Sequence, residues 1–113
     1  MKRLLLLSLA LIMIAACEKK SADDSQKDAR AGNPRRGRAI YLANCAACHN
    51  NDPSKDGSIG PAIKGSSQEL VMTRVLKASY PPGYTPKRKT NAMPAQPYLQ
   101  SAIPDLVAFL NDR

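Results

Sequence analysis

The stretch at residues 43–65, "ANCAACHNNDPSKDGSIGPAIKG", sets two cysteines three positions apart and a histidine directly after the second. His49 is the single histidine of the chain. On a helix, positions i and i+3 share a face, so Cys45 and Cys48 offer two thiols to one object with an imidazole beside them. Three chemistries compete for such a cluster. A thioredoxin-like C-x-x-C opens a helix after a strand in a βαβ unit, and no alternating strand pattern is present. Structural zinc takes four Cys or His ligands, whereas this cluster offers three, and the chain holds no second pair. A plain disulfide leaves His49 without a reason.

The remaining reading is covalent haem. C-x-x-C-H is the attachment signal of c-type haem. The two thiols add across the two vinyl groups of the macrocycle, and the adjacent imidazole ligates the iron from one side. Composition asks for such a group independently. The segment after residue 33 holds about 80 residues, four tyrosines, one phenylalanine and no tryptophan. A domain of that size is marginal without a staple, and a large apolar cofactor supplies the missing core.

Upstream of the motif, "MKRLLLLSLALIMIAAC" has a basic start and an apolar run from Leu4 to Ala16. The run is shorter than the roughly 20 residues that span a bilayer, and its layout is that of a secretory signal. Its end, "IAAC", resembles the lipobox of bacterial lipoproteins. That resemblance implies removal of residues 1–16 and lipidation of Cys17. More than one acyl chain on one residue gives stable anchoring. Residues 17–33 then form a tether: they carry mixed charge and no large apolar side chain, too little to offset the entropy of ordering. Its random-coil span is roughly 20–25 Å. Glu18 gives no clear inner-membrane retention signal, which tilts the expectation toward the outer membrane of a two-membrane bacterium, on the periplasmic side.

The formal charge of +8 favours acidic partners or anionic surfaces. Export and the lack of an aromatic-basic reading motif argue against nucleic acid.

Residues 34–113 read as the folded unit, all-α with three main helices and long loops. Asn33 caps a first helix with Pro34 in its first turn, running through "PRRGRAIYLANCAACH". Residues 66–80, "SSQELVMTRVLKASY", form a second, with Ser66 and Glu69 spaced as a capping box and Leu70, Val71, Val75 and Leu76 as an apolar stripe. Residues 101–113, "SAIPDLVAFLNDR", close the chain as a third, with Leu106, Phe109 and Leu110 facing inward. The Pro-rich segment between the last two is irregular loop.

On these motifs residues 34–113 resemble a class I cytochrome c, the small monohaem electron carriers. "GRAIYLANCAACH" matches the family's first helix, with Gly37 and Tyr41 where a small residue and an aromatic meet the last helix. "LVAFL" matches that partner. "GPAIKG" matches the Gly-Pro loop, and the resemblance implies that the Pro61 carbonyl accepts a hydrogen bond from the ligand imidazole. Gly60 and Gly65 are expected to let the backbone pass close to the porphyrin. Met93, in "TNAMPA", stands where the family carries its sixth ligand. A thioether there raises the reduction potential. Met72, inside the second helix, reads as core filler. Met93, in a polar loop, has little to pack against.

The resemblance implies a one-electron carrier with His49 and Met93 as axial ligands and no catalytic residue. Two alternatives stand beside it: the haem c subunit of a larger oxidoreductase complex, respiratory or sulfur-metabolising, and a haem sensor with an open sixth site. "KRK" at 87–89 reads either as a steering patch for an acidic redox partner or as solvated surface. Tyr80 and Tyr84 read either as haem propionate partners or as loop packing.

Overall fold

Asn33 starts the first helix as expected. In the computed structural model, which describes residues 31–113, its side chain accepts from the backbone N–H groups of Arg35 and Arg36 at 3.0 and 3.1 Å. Pro34 follows at the first helical position, where a missing N–H costs nothing. Helix α1 spans Pro34–Asn44. It does not continue through the motif. Cys45 leaves helical geometry (φ −121°, ψ −37°), and a separate single turn, α2, covers Ala46–His49.

Helix α3 spans Gln68–Lys77. Its cap is Ser67, whose hydroxyl accepts from the Leu70 N–H at 3.2 Å. The expected Ser66–Glu69 capping box is not formed, because the Ser66 hydroxyl donates to the Ile63 carbonyl at 2.6 Å instead. Val71 and Val75 are buried, and Leu76 packs partly against the core. Met72 is 42% exposed, which corrects its reading as core filler. One residue past Val71 on a helix is about 100° around the axis, outside the buried stripe.

The last helix also starts later than expected. Pro97–Ala102 forms a 3₁₀ turn that buries Leu99, and α4 covers Ile103–Leu110. Pro104 lies in its first turn, the place where proline is tolerated. Leu106 and Leu110 are buried, and Phe109 is half-buried. Among the described residues there is no strand, and no helix is long and apolar enough to cross a membrane. The expected signal segment, Cys17 and most of the tether lie outside the described residues.

Helices α1 and α4 pack directly on one another. A Cβ on Gly37 would meet the Asp105 carbonyl oxygen at 1.9 Å and the Phe109 Cβ at 2.8 Å, so only glycine permits this approach. The Tyr41 and Phe109 rings meet at 5.3 Å, tilted by 49°, within the usual range for favourable aromatic pairs. Beside this crossing sits a small core: Tyr41, Val71, Val75, Leu99, Ile103 and Leu106.

Asp105 is buried at the same crossing. It accepts from the Asn33 N–H at 2.7 Å and from Arg36 Nε and Nη2 at 2.9 and 3.1 Å. It thus ties the cap of α1 to the start of α4. The Arg36 hydrogen bond, then the Asn33 amide and the Arg36 charge, hold its carboxyl below the ordinary value against the opposing effect of burial. A carboxylate with a lowered folded-state pKa stabilises the fold above its unfolded pKa and loses that contribution as pH falls through the folded value. Asp105→Asn should therefore cost about 1–2 kcal/mol at pH 7, with the difference from the parent shrinking below about pH 4. Thermal unfolding of the holoprotein at the two pH values checks both statements.

Candidate functional site

The break at Cys45 shapes the site. The Cys45 N–H still bonds the Tyr41 carbonyl at 2.8 Å. The next turn then restarts, with the Cys48 and His49 N–H groups both bonding the Cys45 carbonyl at 3.1 and 3.0 Å. Both thiols and the imidazole therefore sit on one tight turn at the end of α1. Asn50 terminates it with φ 75°, ψ 151°, a region costly for any residue but glycine. Three bonds hold it there. The Tyr41 hydroxyl donates to the Asn50 carbonyl at 2.6 Å, the Asn50 amide donates to the Asp56 carbonyl at 3.2 Å, and the Asn50 side-chain oxygen accepts from the Asp52 N–H at 3.1 Å.

Tyr41 is fully buried. Its hydroxyl also reaches the His49 carbonyl at 3.2 Å. Burial first, then the nearby Cys45 and Asp52, push its pKa up to about 12, so it remains a neutral donor. Tyr41→Phe would leave the Asn50 carbonyl short of its partner. It should lower stability by ~1–3 kcal/mol, read from the denaturant midpoint of the holoprotein.

His49 is buried, and its Nδ1 lies 2.8 Å from the Pro61 carbonyl oxygen. A carbonyl only accepts, so Nδ1 carries the proton and Nε2 keeps its lone pair for a ligand role. The loop supplying this carbonyl is bound to the motif itself: the Gly60 N–H donates to the Cys48 carbonyl at 2.8 Å. A Cβ on Gly60 would lie 2.4 Å from His49 Cε1, so the backbone presses on the imidazole face. Gly65 has a different reason. Its φ of 78° is left-handed, and it does not line the cleft; its N–H bonds the Leu110 carbonyl at 2.8 Å.

One cleft joins these groups. Cys45, Cys48, His49 and Pro61 line it together with Met93, against a wall of Val71, Val75, Leu106 and Leu110. Met93 is half-buried and packs on the core, which corrects the expectation that it has little to pack against. Met72 does not line the cleft. Tyr80 and Tyr84 do, stacked on each other at 5.3 Å, with the Arg74 guanidinium 4.3 Å from the Tyr80 ring centre. These ring contacts hold both tyrosines at the cleft wall.

Two of the three residues of the "KRK" run bond the backbone of the loop after the motif. Lys87 Nζ donates to the Ala62 carbonyl at 2.7 Å, and Arg88 Nη1 to the Ile59 carbonyl at 2.9 Å. Lys89 makes no hydrogen bond or ion pair among the described residues. Asp56, facing Arg88 at 3.5 Å, also accepts from the Ala62 N–H at 2.7 Å. That amide, followed by the Arg88 charge, holds its carboxyl below the usual range. The sequence could not assign these partners, since a charge run does not reveal which carbonyls it meets. Asp105 was missed for the same reason.

The donor set fits a haem and not its rivals. Among the described residues no three His, Cys, Asp or Glu side chains converge as a metal site. The two thiols are not joined in a disulfide. Burial first, then Cys48, pushes the Cys45 thiol up to about 11, the reverse of what a thiolate-based exchange site needs. What remains is an apolar cleft with two thiols, an imidazole and a thioether at its walls.

Comparison with known proteins agrees. The family described as cytochrome c oxidase, cbb3-type, subunit III matches residues 32–110. A cytochrome c-553-like protein of Synechocystis is 37% identical over 73 residues, covering 63% of this chain and 68% of the relative. No solved structure matches the chain significantly. The chain belongs to that subunit III family, and it is a small monohaem c-type cytochrome with one covalently bound haem c, an electron-transfer protein.

Proposed function

We propose that this protein is a one-electron carrier rather than an enzyme, with Cys45 and Cys48 as the thioether attachment points and His49 and Met93 as the axial ligands. The observation that carries this reading is that His49 and Met93 line the same apolar cleft, while the other methionine of the described residues lies on the surface. Haem c held there supplies reversible one-electron chemistry. The Pro61 carbonyl fixes the imidazole and raises its basicity. A thioether and an imidazole together leave no open position for a substrate, and their packed surroundings limit rearrangement between oxidation states. The thioether also raises the potential.

The partners are other redox proteins. An acidic docking face on them would suit the net charge of the chain, with Lys89 as the outward cation of the 87–89 run. Residues 1–16 as an export signal, lipidated Cys17 and the tether of 17–33 would hold the domain on the periplasmic side of a membrane, preferably the outer one. Support for this anchoring is the sequence pattern alone.

A second reading is favoured by the description of the matching family: the domain serves as the haem c subunit of a larger oxidoreductase complex. Purification in mild detergent separates the two. A carrier is recovered alone, whereas a subunit brings a stoichiometric partner. Visible spectra in both oxidation states test the ligand set. The carrier reading expects a low-spin spectrum with a far-red sulfur-to-iron band in the oxidised protein. A high-spin oxidised spectrum would favour the sensor with an open sixth site.

A further inference from the structure

The loop that carries Met93 and the loop that supports His49 are joined by two cationic side chains. From the first, Lys87 Nζ donates to the Ala62 carbonyl at 2.7 Å. Arg88 Nη1 donates to the Ile59 carbonyl at 2.9 Å, Nη2 reaches the Gly57 carbonyl at 3.4 Å, and the same guanidinium faces Asp56 Oδ2 at 3.5 Å. These acceptors bracket Pro61, whose carbonyl meets His49 Nδ1, and Gly60, whose backbone presses on the imidazole. Asp56 closes the network by accepting from the Ala62 N–H at 2.7 Å.

We propose that Lys87 and Arg88 form a strap across the mouth of the haem cleft, and that they are positioning residues for Met93. The physical case rests on distribution. A lone exposed ion pair contributes little. Here, charged donors on two adjacent residues meet three carbonyls, 25 to 31 positions away in sequence, and one carboxylate of the same segment. Charge-assisted bonds of this kind are shorter and stronger than neutral ones. Met93 follows Arg88 by five residues in a loop with no regular secondary structure. Its placement therefore depends on where the chain is pinned. The N-terminal pin is the strap. The C-terminal pin is the Gln96 N–H, which bonds the Val75 carbonyl at 2.6 Å. Releasing the strap leaves the Met93 segment tethered from one end. Exogenous ligands then compete better for the position that Met93 fills.

This inference rests on Met93 being an axial ligand, so its test has two arms. Holoprotein carrying Lys87→Ala and Arg88→Ala together is compared with the parent and with Lys89→Ala, a control of equal charge type from the same run. In the first arm, imidazole is titrated against the oxidised protein and followed by absorbance. The double variant should bind it about tenfold more tightly, equivalent to ~1.4 kcal/mol, with covalent haem content unchanged and the Lys89 variant matching the parent. In the second arm, hydrogen exchange is measured by mass spectrometry over residues 57–63 and 87–94. Both segments should exchange faster in the double variant only. Parent-like exchange in both segments would overturn the strap, whatever the titration shows, as would equal effects from Lys89→Ala. A parent that lacks the far-red band and binds imidazole tightly would refute Met93 ligation, and the exchange arm would still decide whether the strap exists.

Discussion

Met93→Ala should turn the oxidised protein from low-spin to a state open at the sixth position. The far-red sulfur-to-iron band should vanish, and the reduction potential should fall by on the order of 0.1–0.2 V, within the roughly 0.8 V range over which axial ligation sets haem potentials. The direction follows from the soft thioether, which favours the reduced iron. Stability should fall less than function. Met93 is only half-buried and packs at the margin of the core, and the α1–α4 crossing with its Gly37 contact lies elsewhere. Covalent haem content should therefore match the parent, since Cys45, Cys48 and His49 sit on a different segment. Absorbance and potentiometry on the same sample check the band, the potential and the haem content, and thermal unfolding checks the stability. Survival of both the band and the potential would mean that another side chain supplies the sixth ligand.

Replacing both Cys45 and Cys48 with serine should have a larger effect, on the fold itself. The core of side chains is small and flanks the cleft, with Val71, Val75, Leu106 and Leu110 in both. Those residues wall the cleft, so a macrocycle held there would add apolar contacts to a core that is small without it. A domain near 80 residues has little apolar area to spare, and its margin is drawn from the ~5–15 kcal/mol typical of folded domains. The double variant should lose covalent haem to near zero and most of its helical circular dichroism. Each single variant should keep one attachment and an intermediate haem content. A double variant with the parent's haem content would refute attachment through these thiols.

The sequence was most legible where chemistry constrained it most. The C-x-x-C-H cluster and Asn33 with Pro34 are local patterns with few physical solutions, whereas the meeting of Gly37 and Tyr41 with the last helix was implied by the resemblance to class I cytochromes c. The order of helices followed from them. Boundaries were less legible because they depend on competing hydrogen bonds. Ser66 and Ser67 are equivalent in sequence, and the choice fell to Ser67 only because Ile63 offers Ser66 a carbonyl. Pro97 looked like loop because its 3₁₀ turn is stabilised by burial of Leu99 and by the Gln96 contact with α3, both of them tertiary. The roles of Lys87, Arg88 and Asp105 were illegible for a related reason. Each is defined by a partner at least 25 residues away, and a charged side chain in a sequence carries no sign of whether it faces water or a carbonyl.

The proposed electron carrier requires a single macrocycle joined to the turn at the end of α1. Mass spectrometry of protein matured in a host able to attach haem tests it most directly. The predicted result is an intact mass increased by one haem, with the adduct confined to the peptide holding Cys45 and Cys48. An unmodified mass, or an adduct elsewhere in the chain, would contradict it.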